Sequence, residues 1–174
     1  MKPGKQFEKD FQQSCNKAMY YIRLNDPGQS FNKDCTGCPK QKTRFSPQNI
    51  CDAIAYSYPN QYLFELKSVA GLSIPFKNIV KKEKDMRLKK MVAASEKKGV
   101  LSFIIINFRK VNSTFALQAP IIYEYINRFG VFNLGDKVRY SIPLKFCITV
   151  GLEIKSQRKR IHYGYDIKSF IDRF

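Results

Sequence analysis

The chain is predicted to fold as an α/β unit in which a central mixed β-sheet is flanked by helices and interrupted by one long polar insertion. Three observations carry this expectation. Val100 to Phe108 is an almost unbroken apolar run, as expected of a central strand covered on both faces. Ile50 to Tyr56 and Tyr62 to Val69 are strand-like runs separated by Ser57-Tyr58-Pro59-Asn60, whose proline and asparagine are turn residues, so the two runs read as a hairpin. Phe7, Phe11, Cys15, Ala18 and Met19 recur at helical spacing and predict an amphipathic helix over residues 5–19.

The other elements follow in order. Tyr20 to Leu24 is β-rich and predicts the first strand. Residues 25–49 hold Pro27, Gly28, Gly37, Pro39 and Pro47 and form the insertion within one domain spanning residues 1–174; a loop of that length in a compact domain is usually functional. Gly71 to Pro75 breaks the strand pattern. A charged helix is then expected from about Ile79 to Lys98, with Leu88, Met91 and Val92 on its apolar face. Thr114 to Ala119 should neighbour the central strand, and Pro120 to Phe129 should be a helix. Ser141 to Val150 reads as another helix, with Ser141 as N-cap, Pro143 in the first turn and Gly151 as the stop, although β-branched Ile148, Thr149 and Val150 equally suit a strand. Asp166 followed by Ile167, Phe170 and Ile171 predicts a short terminal helix.

Lys and Arg number 31 against 14 Asp and Glu, a formal net charge of +17. Such a field selects a polyanion, and nucleic acid fits better than an acidic protein. Candidate phosphate contacts are Lys40, Lys42 and Arg44 in the insertion, with Lys77, Lys81, Lys82, Arg109, Arg158 and Arg160 elsewhere; ordinary solvation accounts for a share of any such set. The longest apolar runs are strand-length, so no bilayer span is expected. Met1-Lys2-Pro3-Gly4 leads directly into the first amphipathic pattern without a signal-like apolar stretch, which reads as cytoplasmic. Five cysteines leave one unpaired in any full disulfide scheme, so free thiols are expected. Cys35-Thr36-Gly37-Cys38 has metal-knuckle spacing but is half a motif, and a structural zinc would need Cys15 and Cys51 to complete its shell.

The chemistry-bearing residues lie on the hairpin. Symmetric closure over Tyr58-Pro59 sets Asp52 opposite Glu65, with Cβ atoms about 4.5–5.5 Å apart. Lys67 emerges on the same face two residues after Glu65, while Leu66 points the other way. Two adjacent carboxylates repel each other unless a cation sits between them. Mg²⁺ or Mn²⁺ suits them, with the Leu66 carbonyl as an added ligand, and the Lys67 ammonium can orient an attacking water or balance charge on phosphorus. Glu8, if the first helix packs against this sheet, supplies a third carboxylate or holds a metal-bound water. A cross-strand salt bridge on a solvated edge would give the same pattern. His162 is the only histidine, which disfavours Ser-His-Asp catalysis and multi-histidine metal sites; between Arg160 and Tyr163 it reads as a surface or DNA-contacting residue. No GxxxxGK phosphate loop is present.

Along nearly the whole chain, several segments resemble the PD-(D/E)XK nuclease superfamily, and within it the RecU-type Holliday junction resolvases and their phage relatives. They are Gly4-Lys5-Gln6-Phe7-Glu8, Asn49-Ile50-Cys51-Asp52, Tyr62-Leu63-Phe64-Glu65-Leu66-Lys67-Ser68, Gly71 to Ile79, Gly99 to Arg109 and His162-Tyr163-Gly164-Tyr165-Asp166. The resemblance implies a restriction-endonuclease-like fold and a homodimer with one metal-dependent site per subunit, cutting a four-way DNA junction symmetrically. It gives Asp52, Glu65 and Lys67 the catalytic roles, Glu8 an accessory acidic role, and residues 25–49 the place of a stalk; it names no recombinase partner. Two features depart from the family: Cys35 and Cys38 in the stalk, and the absence after Asn78 of a glutamine that many relatives carry, with Glu83 or Arg87 the nearest substitutes. The catalytic trio does not select substrate, so a related nuclease acting on other branched or single-stranded DNA shares it. A reading from a different class is a noncatalytic nucleic-acid binder, zinc-stabilised through Cys35 and Cys38, in which the Asp-Glu-Lys cluster is only structural.

Overall fold

The computed structural model describes residues 2–24, 49–80, 86–129 and 140–174. Helix α1 (Pro3–Cys15) starts on a proline, tolerated where the backbone N–H has no intrahelical partner, and buries Phe7, Phe11 and Cys15. Strands β1 (Tyr20–Arg23), β2 (Ala53–Ser57) and β3 (Asn60–Val69) pair antiparallel in succession. Ala53 faces Phe64 and Ile54 faces Leu63, the register expected from closure over Tyr58-Pro59. Short β4 (Ser73–Pro75), a 3-10 turn at Phe76–Asn78 and α2 (Arg87–Ser95) lie between β3 and β5 (Val100–Phe108), which runs parallel to β3. Gly99 opens β5 at φ +78, a left-handed conformation that favours glycine, and its carbonyl accepts from Gln61 N. β6 (Ser113–Gln118), α3 (Ala119–Phe129), β7 (Ser141–Pro143), α4 (Leu144–Val150) and β8 (Leu152–Glu153) follow, then the hairpin of β9 (Ser156–Lys159) and β10 (His162–Tyr165), and α5 (Ile167–Ile171).

The main sheet is mixed, in the order β1-β2-β3-β5-β6-β8, with helices on both faces. Side chains alternate across a strand, so β5 sends Phe103 and Ile105 into one core and Ile104, Ile106 and Phe108 into another. The first core, under α1, α5 and β10, is aromatic: Phe103 packs on Phe170 and Phe174 with ring centroids 5.2 Å away in each case, and Phe11 meets Phe64 edge-on. The second holds Leu88 and Met91 of α2, Ile122 of α3 and Cys147 of α4. Each fully buried large apolar side chain contributes about 1.5–3 kcal/mol.

The structure corrects four expectations. Ser141 is not an N-cap. Ser73-Ile74-Pro75 and Ser141-Ile142-Pro143 are the same tripeptide and pair antiparallel as a small separate sheet, with Ile74 opposite Ile142 and both fully buried; the helix starts only at Leu144 and stops at Gly151 as expected. Tertiary burial of Ile142 decides this segment. Second, α2 spans Arg87–Ser95: Ile79 and Val80 lie outside it, and Ile79 is buried in the second core. Third, the first helix ends at Cys15 rather than residue 19: Ala18 and Met19 lie in the turn that follows, packed into the same core. Fourth, Cys15 and Cys51 sit in cores on opposite faces of the sheet, so they cannot share one zinc ion, whose sulfurs must lie about 2.3 Å from the metal. Both are free thiols, as is Cys147.

Of the expected stalk, residues 25–49, only Asn49 is described. Lys40, Lys42 and Arg44, the Cys35/Cys38 pair, and Lys81, Lys82 and Glu83 therefore lie outside the described residues. Among the described residues no helix is long and apolar enough to cross a membrane.

Candidate active site

Strand alternation along β3 places Phe64 and Leu66 in the first core, so Glu65 and Lys67 project on the second face, toward α2. Asp52 sits just before β2. Its backbone N donates to Phe64 O (3.0 Å) and its carbonyl accepts from Leu24 N (2.9 Å), fixing it between β1 and β3. Its Oδ2 accepts from Leu66 N at 2.8 Å, so the carboxylate takes over where the β2 ladder ends. Leu66 N–H and C=O leave the same edge of the strand, which turns the Leu66 carbonyl toward this opening as well.

Lys67 Nζ donates to Glu65 Oε1 and lies 4.0 Å from Asp52 Oδ2. From the first turn of α2, Arg87 donates through one terminal guanidinium nitrogen to Glu65 Oε1 at 3.3 Å, and the same nitrogen lies 3.9 Å from Asp52 Oδ1. Two carboxylates and two cations thus form one cluster in which each cation reaches both acids. Glu65 is the most buried member, its side chain 6% exposed against 26% for Asp52. Burial pushes its carboxyl up from the ordinary range, Lys67 opposes that, Asp52 adds to it, and Arg87 opposes it again.

Glu65 Oε2 is buried without a hydrogen-bond partner among the described residues. A buried carboxylate oxygen left without a donor is costly unless something else takes its lone pairs, and a cation does so. Two carboxylates and a backbone carbonyl form an all-oxygen set, which fits a hard divalent ion that keeps several waters. Among the described residues no three His, Cys, Asp or Glu side chains converge, so this smaller set is what those residues offer.

Glu8 approaches differently. α1 packs on the opposite face of the sheet, and the Glu8 carboxylate accepts an ion pair from Arg23 of β1, the residue opposite Ala53. Glu8 and Asp52 both act on Tyr21, whose hydroxyl is pushed above its ordinary range first by burial. Among the basic candidates, Lys77, Arg109, Arg158 and Arg160 are exposed. Arg109 N donates to Val69 O, at the end of β3 toward which Glu65 and Lys67 lie. Arg158 and Arg160 belong to the β9–β10 hairpin, which is tied to α1. Because α1 runs back along β1, its N-terminal half lies at the sheet end that carries Asp52, and the hairpin tip lies there with it.

That tie is a second polar cluster. Asp10, 1% exposed, accepts from Gln6 Nε2 (2.7 Å) and Tyr163 N (3.1 Å), and its Oδ1 lies 3.2 Å from His162 Nδ1. Ser14 Oγ accepts from Tyr165 N at 3.0 Å. His162, read as a surface or DNA-contacting residue, is half-exposed and also engaged in this anchor. Sequence reasoning passed over Asp10, yet its position three residues after Phe7 puts it on the buried stripe, and a carboxylate there is itself a signal.

The family model described as "RecU: Recombination protein U" matches residues 27–169. The chain is 24% identical to the SPbeta prophage-derived uncharacterized protein YotM of Bacillus subtilis (strain 168), over 93% of this chain and 81% of that protein. Among solved structures it is similar to Hjc of Archaeoglobus fulgidus, a Holliday junction resolvase from an archaeal hyperthermophile, with a TM-score of 0.53, 14% identity, and coverage of 86% of this chain and 95% of that one. The likeness to Hjc concerns the fold and agrees with the PD-(D/E)XK architecture implied by the sequence, a mixed sheet flanked by helices with the acidic pair at the mouth of a hairpin. With most of its length matched by that model, the chain belongs to the Recombination protein U family.

Proposed function

We propose that this protein is a divalent-metal-dependent DNA endonuclease that resolves four-way junctions, working as a cytoplasmic homodimer. The observation that carries the reading is the convergence of Asp52, Glu65 and Lys67 at one opening of the sheet, with a buried Glu65 oxygen that has no donor among the described residues. An Asp52 carboxylate oxygen, Glu65 Oε2 and the Leu66 carbonyl would hold Mg²⁺ or Mn²⁺. When bound, such an ion supplies Lewis-acid polarisation of the scissile phosphodiester. Lys67 presents a fixed ammonium that orients the attacking water or balances charge growing on the phosphoryl oxygens, without reorganising at the moment of reaction. Glu8, paired with Arg23 of β1, serves as an accessory acid.

Lys77, Arg109, Arg158 and Arg160, with Lys40, Lys42, Arg44, Lys81 and Lys82 of the remaining chain, hold the DNA arms through phosphate contacts, and residues 25–49 enter the junction as a stalk. Binding should then weaken steeply with salt. The test is Asp52→Asn, which keeps an oxygen for Leu66 N–H and removes the charge. Cleavage of a synthetic four-way junction in Mg²⁺ should fall by about 100-fold or more while junction binding is kept. Undiminished cutting by that variant rejects the assignment of the site, and preference for flap or linear duplex in a competition assay rejects the junction as substrate.

A further inference from the structure

Resting on the metal-dependent nuclease reading above, we infer that Arg87 is an internal counter-ion for the carboxylate pair, which a divalent cation must displace and which then binds the scissile phosphate. One guanidinium nitrogen lies 3.3 Å from Glu65 and 3.9 Å from Asp52, between the two groups that would hold the ion. The guanidinium and the ion therefore compete for the same two carboxylates: Arg87 occupies Glu65 Oε1 and approaches Asp52 Oδ1, beside the Glu65 Oε2 that would take the ion. Lys67 shares Glu65 Oε1 with Arg87 but differs at Asp52, which it approaches through Oδ2, the atom that also accepts from Leu66 N, whereas Arg87 faces Oδ1.

The position of Arg87 supports the same conclusion. It is the first residue of α2, whose first turn holds no acid and whose N-cap, Met86, makes no side-chain cap bond. A cation at a helix N-terminus faces the positive end of the helix dipole and is disfavoured there. Glu65 and Asp52 offset that cost, and an ion that takes the carboxylates withdraws the offset. A guanidinium released at this place can form paired hydrogen bonds to phosphate oxygens, which an ammonium cannot. Metal and DNA then favour each other's binding, since the phosphate that takes the guanidinium frees the carboxylates.

The experiment titrates Mn²⁺ against the full chain without DNA, reading free Mn²⁺ by electron paramagnetic resonance. It also measures cleavage of a four-way junction at saturating Mn²⁺. Arg87→Gln should bind Mn²⁺ about tenfold more tightly than wild type, yet cut about 100-fold more slowly. Arg87→Lys should keep near-wild-type Mn²⁺ affinity, because the competing charge remains, and still cut slowly. That split does not arise from a merely structural role, and the lysine variant carries the test alone if the glutamine variant melts early. Unchanged or weaker Mn²⁺ binding by Arg87→Gln, or full-speed cutting by either variant, overturns the inference and leaves the nuclease reading standing. A wild-type chain that neither binds Mn²⁺ nor cuts branched DNA overturns both.

Discussion

Replacing Asp10 with alanine removes the acceptor that ties the β9–β10 hairpin to α1. Asp10 is 1% exposed and faces Gln6 Nε2, Tyr163 N and His162 Nδ1. Gln6 and His162 are partly exposed and can turn to water, which returns most of their share. The Tyr163 backbone N–H cannot turn away, and leaving it without an acceptor costs about 1–3 kcal/mol. Loss of hydrogen bonds to a charged acceptor adds about 1.5 kcal/mol, for a total of about 3 kcal/mol. In a chain of this size that lowers Tm by about 6–12 °C. Asp10→Asn keeps one oxygen for Tyr163 but sets an amide NH₂ against the Gln6 donor, and should lose about half as much. Thermal unfolding followed by circular dichroism measures both, and hydrogen exchange at Tyr163 and Tyr165 should rise in the alanine variant. If Asp10→Ala melts within about 2 °C of wild type, the anchor contributes little and the reasoning fails.

Other consequences are simpler to check. Burial pushes the Cys51 and Cys147 thiols up to about 12 and raises Cys15 further, so all three should resist iodoacetamide at pH 8 and react only on unfolding, as peptide-resolved mass spectrometry would report. Phe103→Ala removes the ring at the centre of the aromatic core and should cost about 3–5 kcal/mol in urea unfolding; a loss under about 1 kcal/mol would mean that the core collapses around the gap. A Cβ at Gly151 would lie 2.5 Å from Cys147 O, so Gly151→Ala should destabilise by about 1–3 kcal/mol through a forced shift of the end of α4 against β6, and an unchanged Tm would contradict that geometry.

How much of this was readable beforehand depends on how far apart in the chain the partners stand. The hairpin of β2 and β3 closes locally, and side-chain period two then fixes which residues face each other, so Asp52, Glu65 and Lys67 could be brought together from their order alone. α1, β5, β6 and α5 were also legible, because their apolar spacing matches one period, and Asp166 caps α5 by accepting from Ser169 N as its position suggested. Arg87 was visible only as a near-substitute for a missing glutamine. Its contact with Glu65 depends on how α2 returns over the sheet, which local pattern does not specify. Asp10 and His162 meet across most of the chain, and Ile74 and Ile142 across more than a third of it, for the same reason. The order of residues by itself determined the local pairings, the strongly positive field and the acids at the hairpin mouth. Packing of the two sheet faces decided which cations sit on those acids, which thiols are buried apart and where the basic hairpin is anchored, since burial between distant segments outweighs local propensity.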